Sequence, residues 1–219
     1  MIVPPTAIPR IPPKPLFVAL DFAYGGMSKR EIASLATQTM LCHHTTRQHS
    51  EHVRFALVGA AQSLLNEEFE GLGIASWSGV TQYESLSELG RPIVYLSPDA
   101  DVALGDEEDD AFDQDVVFVV GALIDREVRP NASRERAFES GAMMRRLPTE
   151  RLPPQSLDTT GRAVRLNALN VNAVVQTLVE YTHCGDWPTA LLRGLGTSQR
   201  HVSDAVGEDP SVLDTMGAP

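Results

Sequence analysis

An unbroken apolar run, residues 116–120, continues through Gly121, Ala122, Leu123 and Ile124 and stops at a lone acid, Asp125. A strand with one face in water alternates apolar and polar side chains, and this run does not. It is therefore read as a strand buried on both faces, as in a parallel sheet. Its carboxylate falls just beyond the strand's C-terminal end, where open α/β sheets receive their ligands. A helical segment at 133–140 follows, stopped by Gly141, and then a second short strand at 143–147, ended by Pro148. Strand, acid-bearing loop, helix and strand make a βαβ unit with a chemical group at its mouth.

The rest of the chain repeats that alternation. Residues 16–20 form a short apolar strand ending at Asp21, and Gly25-Gly26 a turn. Ser28 with Glu31 has the spacing of a capping box, so a helix starts there and runs to about Thr45. Strands are expected at 53–58, 71–78 and 92–97, and helices at 60–69 and 85–89. Residues 152–161 read as a linker. Residues 172–182 have helical spacing through Val174, Val175, Leu178 and Val179. Asp186 with Pro188 then caps and opens a last helix. Strands alternating with helices predict an α/β fold with a mainly parallel sheet flanked by helices. The expected organisation is a proline-rich tail over residues 1–15, a domain over 16–195 and a C-terminal tail over 196–219.

Bulk composition narrows the function. A formal net charge of -11 does not suit a surface built for non-specific phosphate binding, which relies on lysine and arginine. Two cysteines, Cys42 and Cys184, make no disulfide framework. Cys42, His43, His44, His49 and His52 lie close in sequence, but adjacent helical residues face different ways, so no metal site is expected. No apolar run approaches the ~18 residues of a membrane helix, so no membrane partner is expected. Six prolines up to Pro15 resemble neither a signal nor a transit peptide.

Five blocks together resemble the tRNA position-9 purine N1-methyltransferase family of the SPOUT superfamily. They are LFVALDFAYGGMSKREIASLATQ, RPIVYLSPDA, VVFVVGALIDRE, AMMRRLP and LNVNAVVQTLVEYTHCGDWPTAL, in the family's order over roughly residues 16–194. The Asp-Trp-Pro block at 186–188 and Glu127 two residues after Asp125 are closest to the mitochondrial branch, the methyltransferase subunit of protein-only ribonuclease P. The resemblance implies a SPOUT fold whose C-terminal part is threaded as a trefoil knot, an exception to the rule against knots. It implies S-adenosylmethionine as cofactor, held by Tyr95, Leu96 and Ser97, by Gly121 and Leu123, and by Arg146, Leu147, Leu169 and Asn172.

The same resemblance implies methylation at N1 of a purine, most directly at tRNA position 9. Asp125 is the expected general base or proton-orienting group, and Gln38 the expected contact to the base edge. Arg126, Arg129, Arg134 and Arg145 are the expected RNA contacts, in a cluster with Arg136, Arg146 and Arg151. The acidity of the chain implies protein partners that supply RNA affinity. The RNA is expected to be tRNA or mitochondrial rRNA, and the setting the mitochondrial matrix, with nucleus or cytosol as alternatives. A second class stays open: a SPOUT-fold structural subunit of a mitochondrial ribonucleoprotein. Gly121-Ala122 in place of the family's Gly-Gly, and the acidity, are its supports.

Overall fold

A computed structural model describes residues 14–60, 71, 73–106, 111–113, 115–124, 132–152, 156–157, 169–196 and 198–199. Six strands form one sheet: β1 (Leu16–Asp21), β2 (Val53–Val58), β3 (Val80–Tyr83), β4 (Ile93–Leu96), β5 (Val117–Gly121) and β6 (Met143–Arg145). Their order is β3-β2-β1-β5-β4-β6, and every neighbouring pair is parallel. The apolar runs sit where the sheet needs them. Every residue of β1 is buried, as are the first four of β5. The edge strands β3 and β6 have no fully buried residue.

Alternation along the strands creates two cores. Leu16, Val18 and Leu20 of β1 point to one face, with Phe55, Leu57, Val94, Phe118 and Val120. Helices α1 (Lys29–Gln48), α3 (Val171–Cys184) and α4 (Trp187–Gly194) cover that face with Leu35, Val175, Leu178 and Trp187. Phe17 and Ala19 point the other way, with Tyr95, Val117, Val119 and Ala137 of helix α2 (Ala132–Glu139). The result is a three-layer α/β/α arrangement. Among the described residues no helix is long and apolar enough to cross a membrane.

The helix ends follow local chemistry. Ser28 and Glu31 close the capping box that starts α1. Gly185 ends α3 at φ 62°, and its N–H donates to the carbonyl of Tyr181 (2.8 Å). Asp186 caps α4 by accepting from the N–H of Thr189 (2.9 Å). Trp187 stacks on Tyr181 at 3.9 Å between centroids, with Phe112 beside both. Helices α3 and α4 touch closely because Gly194 lacks a side chain. A methyl there would lie 2.5 Å from the backbone nitrogen and Cα of Thr177. Gly194→Ala is expected to overpack this contact at a cost of about 2 kcal/mol. A thermal melt should fall by roughly 4–8 °C; an unchanged melting temperature would refute the close packing.

Three expectations change. The strand expected at 71–78 is a 3-10 turn at Ile74–Ser76, and the strand is β3, further on. It is an edge strand with one partner, so no apolar run announces it. The expected helix at 85–89 is a 3-10 turn, Leu86–Leu89. The linker is not wholly irregular: β7 (Ser156–Leu157) pairs antiparallel with β8 (Ser198–Gln199) of the expected C-terminal tail. The expected helix at 60–69 falls mostly, and the acidic residues 107–110 wholly, outside the described residues.

Candidate active site

Connections from the sheet diverge between its two central strands. β1 leads outward to β2, while β5 leads through α2 to β6 on the other side. A crevice opens beyond the C-terminal ends of adjacent strands at such a switch point. Here those ends are Asp21 and Gly121, which are paired in register.

The group beneath the crevice is a buried carboxylate, and the sequence signals it only as the acid that ends the first apolar run. Asp21 is 0% exposed. Its Oδ2 accepts from Arg136 Nε at 2.8 Å and from the hydroxyl of Tyr95 at 2.9 Å. Its Oδ1 accepts from the N–H of Ala23 at 3.2 Å and weakly from Arg136 Nη2 at 3.5 Å. A buried charge persists when it is paired and hydrogen-bonded, and both conditions hold. The bond to Asp21 holds the Arg136 guanidinium more firmly protonated than usual. Burial, then the negative charge of Asp21, pushes the Tyr95 phenol well above its ordinary range. Burial raises Tyr24 as well.

The expected cofactor residues come together at the same end of the sheet. Ser97 follows β4, and its N–H donates to the carbonyl of Arg145 at the end of β6 (2.9 Å). The next loop is knitted to the same strand end: Leu104 N–H donates to Arg146 O and Arg146 N–H to Val102 O. Leu147 is buried beyond β6, and Leu169 packs against the same core just ahead of α3. Asn172 lies in the first turn of α3. Gly121 ends β5, and the half-buried Leu123 follows it. Tyr95 and Leu96 differ from these, because their side chains are buried in opposite cores. What they offer a ligand is backbone.

Gln38 has a definite occupation. It is buried, and its Oε1 accepts from the N–H of Val171 at 2.8 Å. Its Nε2 donates to Asn170 Oδ1 at 3.4 Å. Asn170 itself caps nothing, so α1 supplies the cap of α3 from across the fold. Gln38 thereby braces the segment that carries Leu169 and Asn172.

The arginine cluster is divided. Arg136 faces inward on Asp21, Arg146 pairs with Glu150 at 2.6 Å, and Arg151 pairs with Asp106 at 2.8 Å. Arg145 is half-buried and donates to the carbonyl of Met144, while Arg134 is exposed on α2. Asp125, Arg126 and Arg129 lie outside the described residues. Elsewhere, a shallow cavity lined by His43, Thr46, Arg47, Val53 and Gly79 lies at the opposite ends of the strands. There His43 stacks on Trp77 at 4.3 Å. Among the described residues no three His, Cys, Asp or Glu side chains are grouped to hold a metal ion.

Known proteins share this fold. A family model described as tRNA (guanine(9)-N(1))-methyltransferase TRM10/TRM10A matches residues 10–198. The human tRNA methyltransferase 10 homolog B is 25% identical over 181 residues, covering 80% of this chain and 55% of that protein. The tRNA (guanine(9)-N1)-methyltransferase of Schizosaccharomyces pombe is 26% identical over 194 residues, covering 84% and 59%. The chain thus spans a little over half the length of these curated relatives. The full-length spTrm10–SAH complex superposes with a TM-score of 0.65 at 22% identity, covering 85% of this chain and 98% of that one. A dual-specific Trm10 from Thermococcus kodakaraensis gives 0.57 at 19%, covering 82% and 99%. On the extent of the family match, this chain is a member of the tRNA (guanine(9)-N(1))-methyltransferase TRM10/TRM10A family.

Proposed function

We propose that the chain transfers a methyl group from S-adenosylmethionine to N1 of a purine, with position 9 of a tRNA as the target. One observation carries this reading: four of the family's sequence blocks supply β1, β4, β5 and β6, whose parallel C-terminal ends lie along one edge of the sheet around the switch point between β1 and β5. The residues there fit the methyl donor. Three strand ends offer backbone amides and carbonyls, Leu147 and Leu169 offer apolar contact, and glycine stands at 121. When bound, the donor supplies an electrophilic methyl on a positively charged sulfur. The phenolic oxygens of Tyr24 and Tyr95 suit that charge, with Asp21 behind them already compensated by Arg136.

The protein's own work is placement and proton handling. Gln38 braces the 169–172 segment, and the bonds from Ser97 and Arg146 hold two loops at one side of the crevice. Such positioning turns a two-body encounter into an oriented one. Where the purine is guanine, as N1 gains the methyl carbon and that carbon leaves sulfur, the N1 proton must depart. Asp125 is the residue we assign to accept or orient it.

The threading of the C-terminal segment as a trefoil knot belongs to the same proposal. So do protein partners that offset the net charge of -11, and a mitochondrial matrix setting. The likeness of the chain to Trm10 folds supports the first. The acidity and the 186–188 block support the others. The scaffold alternative has no structural observation of its own. Calorimetry of the full chain with S-adenosylhomocysteine is expected to give micromolar binding. Radiolabelled methyl transfer to an unmodified tRNA transcript, with and without candidate partners, should place the label on a position-9 purine. No binding at millimolar ligand would reject the enzyme.

A further inference from the structure

Counting protons in the Asp21 cluster gives it a direction. A phenol has one proton, and Tyr95 gives its proton to Asp21 (2.9 Å). The two phenols meet at 2.7 Å, so Tyr24 must be the donor there and Tyr95 the acceptor. With its own proton committed to Tyr95, the Tyr24 oxygen can only accept from a further partner. Both O–H dipoles point inward to the carboxylate. Each hydroxyl that donates becomes a stronger acceptor, so the chain polarises outward. Burial holds both phenols in the protonated form.

The outer part of this chain lies at the crevice. Tyr24 is half-buried, and its hydroxyl stands 2.8 Å from the point a Cβ on Gly121 would occupy. The bare end of β5 is therefore what admits the Tyr24 oxygen. We propose that Tyr24 is a specificity-determining residue for the methyl donor: its proton-committed oxygen favours a cationic sulfonium over the neutral thioether left after transfer. The effect would aid both capture of the charged donor and release of the spent product. It rests on the assignment of the crevice to the methyl donor.

The test is calorimetry of the full chain and of Tyr24→Phe, which removes only the hydroxyl. Three ligands are compared: S-adenosylmethionine, S-adenosylhomocysteine, and an analogue with an ammonium group in place of the sulfonium. A hydrogen-bond acceptor facing a charge predicts that the variant binds both cationic ligands about tenfold more weakly and the neutral one within about twofold. A purely structural role would weaken all three alike, and that result overturns the proposal. Unchanged affinity for all three overturns it too. Failure of the unaltered chain to bind any of them rejects the methyl-donor site itself, and the two failures are thereby told apart. A thermal melt of Tyr24→Phe verifies that the variant is folded. If it is not, the same three-ligand comparison on Tyr24→Leu, which also lacks the hydroxyl, must show the same selective loss.

Discussion

Arg136→Ala is expected to destabilise the fold by about 3 kcal/mol, because it strands a fully buried carboxylate. The guanidinium supplies the 2.8 Å bond and the compensating charge for Asp21. Among the described residues, the Tyr95 hydroxyl and the Ala23 N–H would remain on that carboxylate. The guanidinium is 26% exposed at the rim, so solvent screens part of the pair and the low end of the range for breaking buried pairs applies. Urea denaturation should report the loss. Asp21→Asn should cost less than Arg136→Ala, since an amide keeps an acceptor for Tyr95 and carries no charge to strand. Combining the two changes should recover part of the Arg136→Ala loss. If Arg136→Ala proves neutral, the pair is not what holds α2 over the end of β1.

The second large effect is on rate. Asp125→Asn is expected to slow methyl transfer by about 100-fold or more, within the usual range for removing a general acid–base group. Guanine N1 carries a proton at neutral pH, and the proton must leave as the N–C bond forms. An asparagine can orient a neighbouring group but has no basic oxygen to accept a proton. Affinity for S-adenosylhomocysteine should stay within about twofold, because the donor's own binding needs no proton acceptor. Single-turnover methyl transfer at saturating cofactor separates the two effects. Turnover equal to that of the unaltered chain removes Asp125 from the proton path.

The sheet was legible where burial left a mark. β1, β2, β4 and β5 are buried along most of their length and print as apolar runs. β3 touches one neighbour, and its Thr81 and Gln82 are exposed, so its sequence looks like loop. Both caps on α1 and α4 were readable because Ser28 and Asp186 act within a few residues of themselves. The cap on α3 was not. Its acceptor is Gln38, 133 residues before Val171, and no local pattern encodes that distance. The site divides the same way. Gly121 and the ends of the central strands follow from the apolar runs. Asp21 looks like an ordinary strand end until Arg136, 115 residues later, and Tyr95 close on it. The arginines read as one basic surface because sequence shows charge without showing partners; three of them are occupied by Asp21, Glu150 and Asp106.

The position of β1 has a consequence for biosynthesis. Of the six strands of this sheet it is made first, yet it lies inside the sheet, between β2 and β5. One flank is covered once β2 emerges, but the other waits for residues 117–121, about a hundred residues further along the message. At typical translation speeds of ~5–20 residues per second, that is on the order of 5–20 s with an apolar strand edge open beside the ribosome. Nascent chains of this protein should therefore engage holding chaperones until β5 has cleared the exit tunnel, and release from them should coincide with completion of the β1–β5 pair.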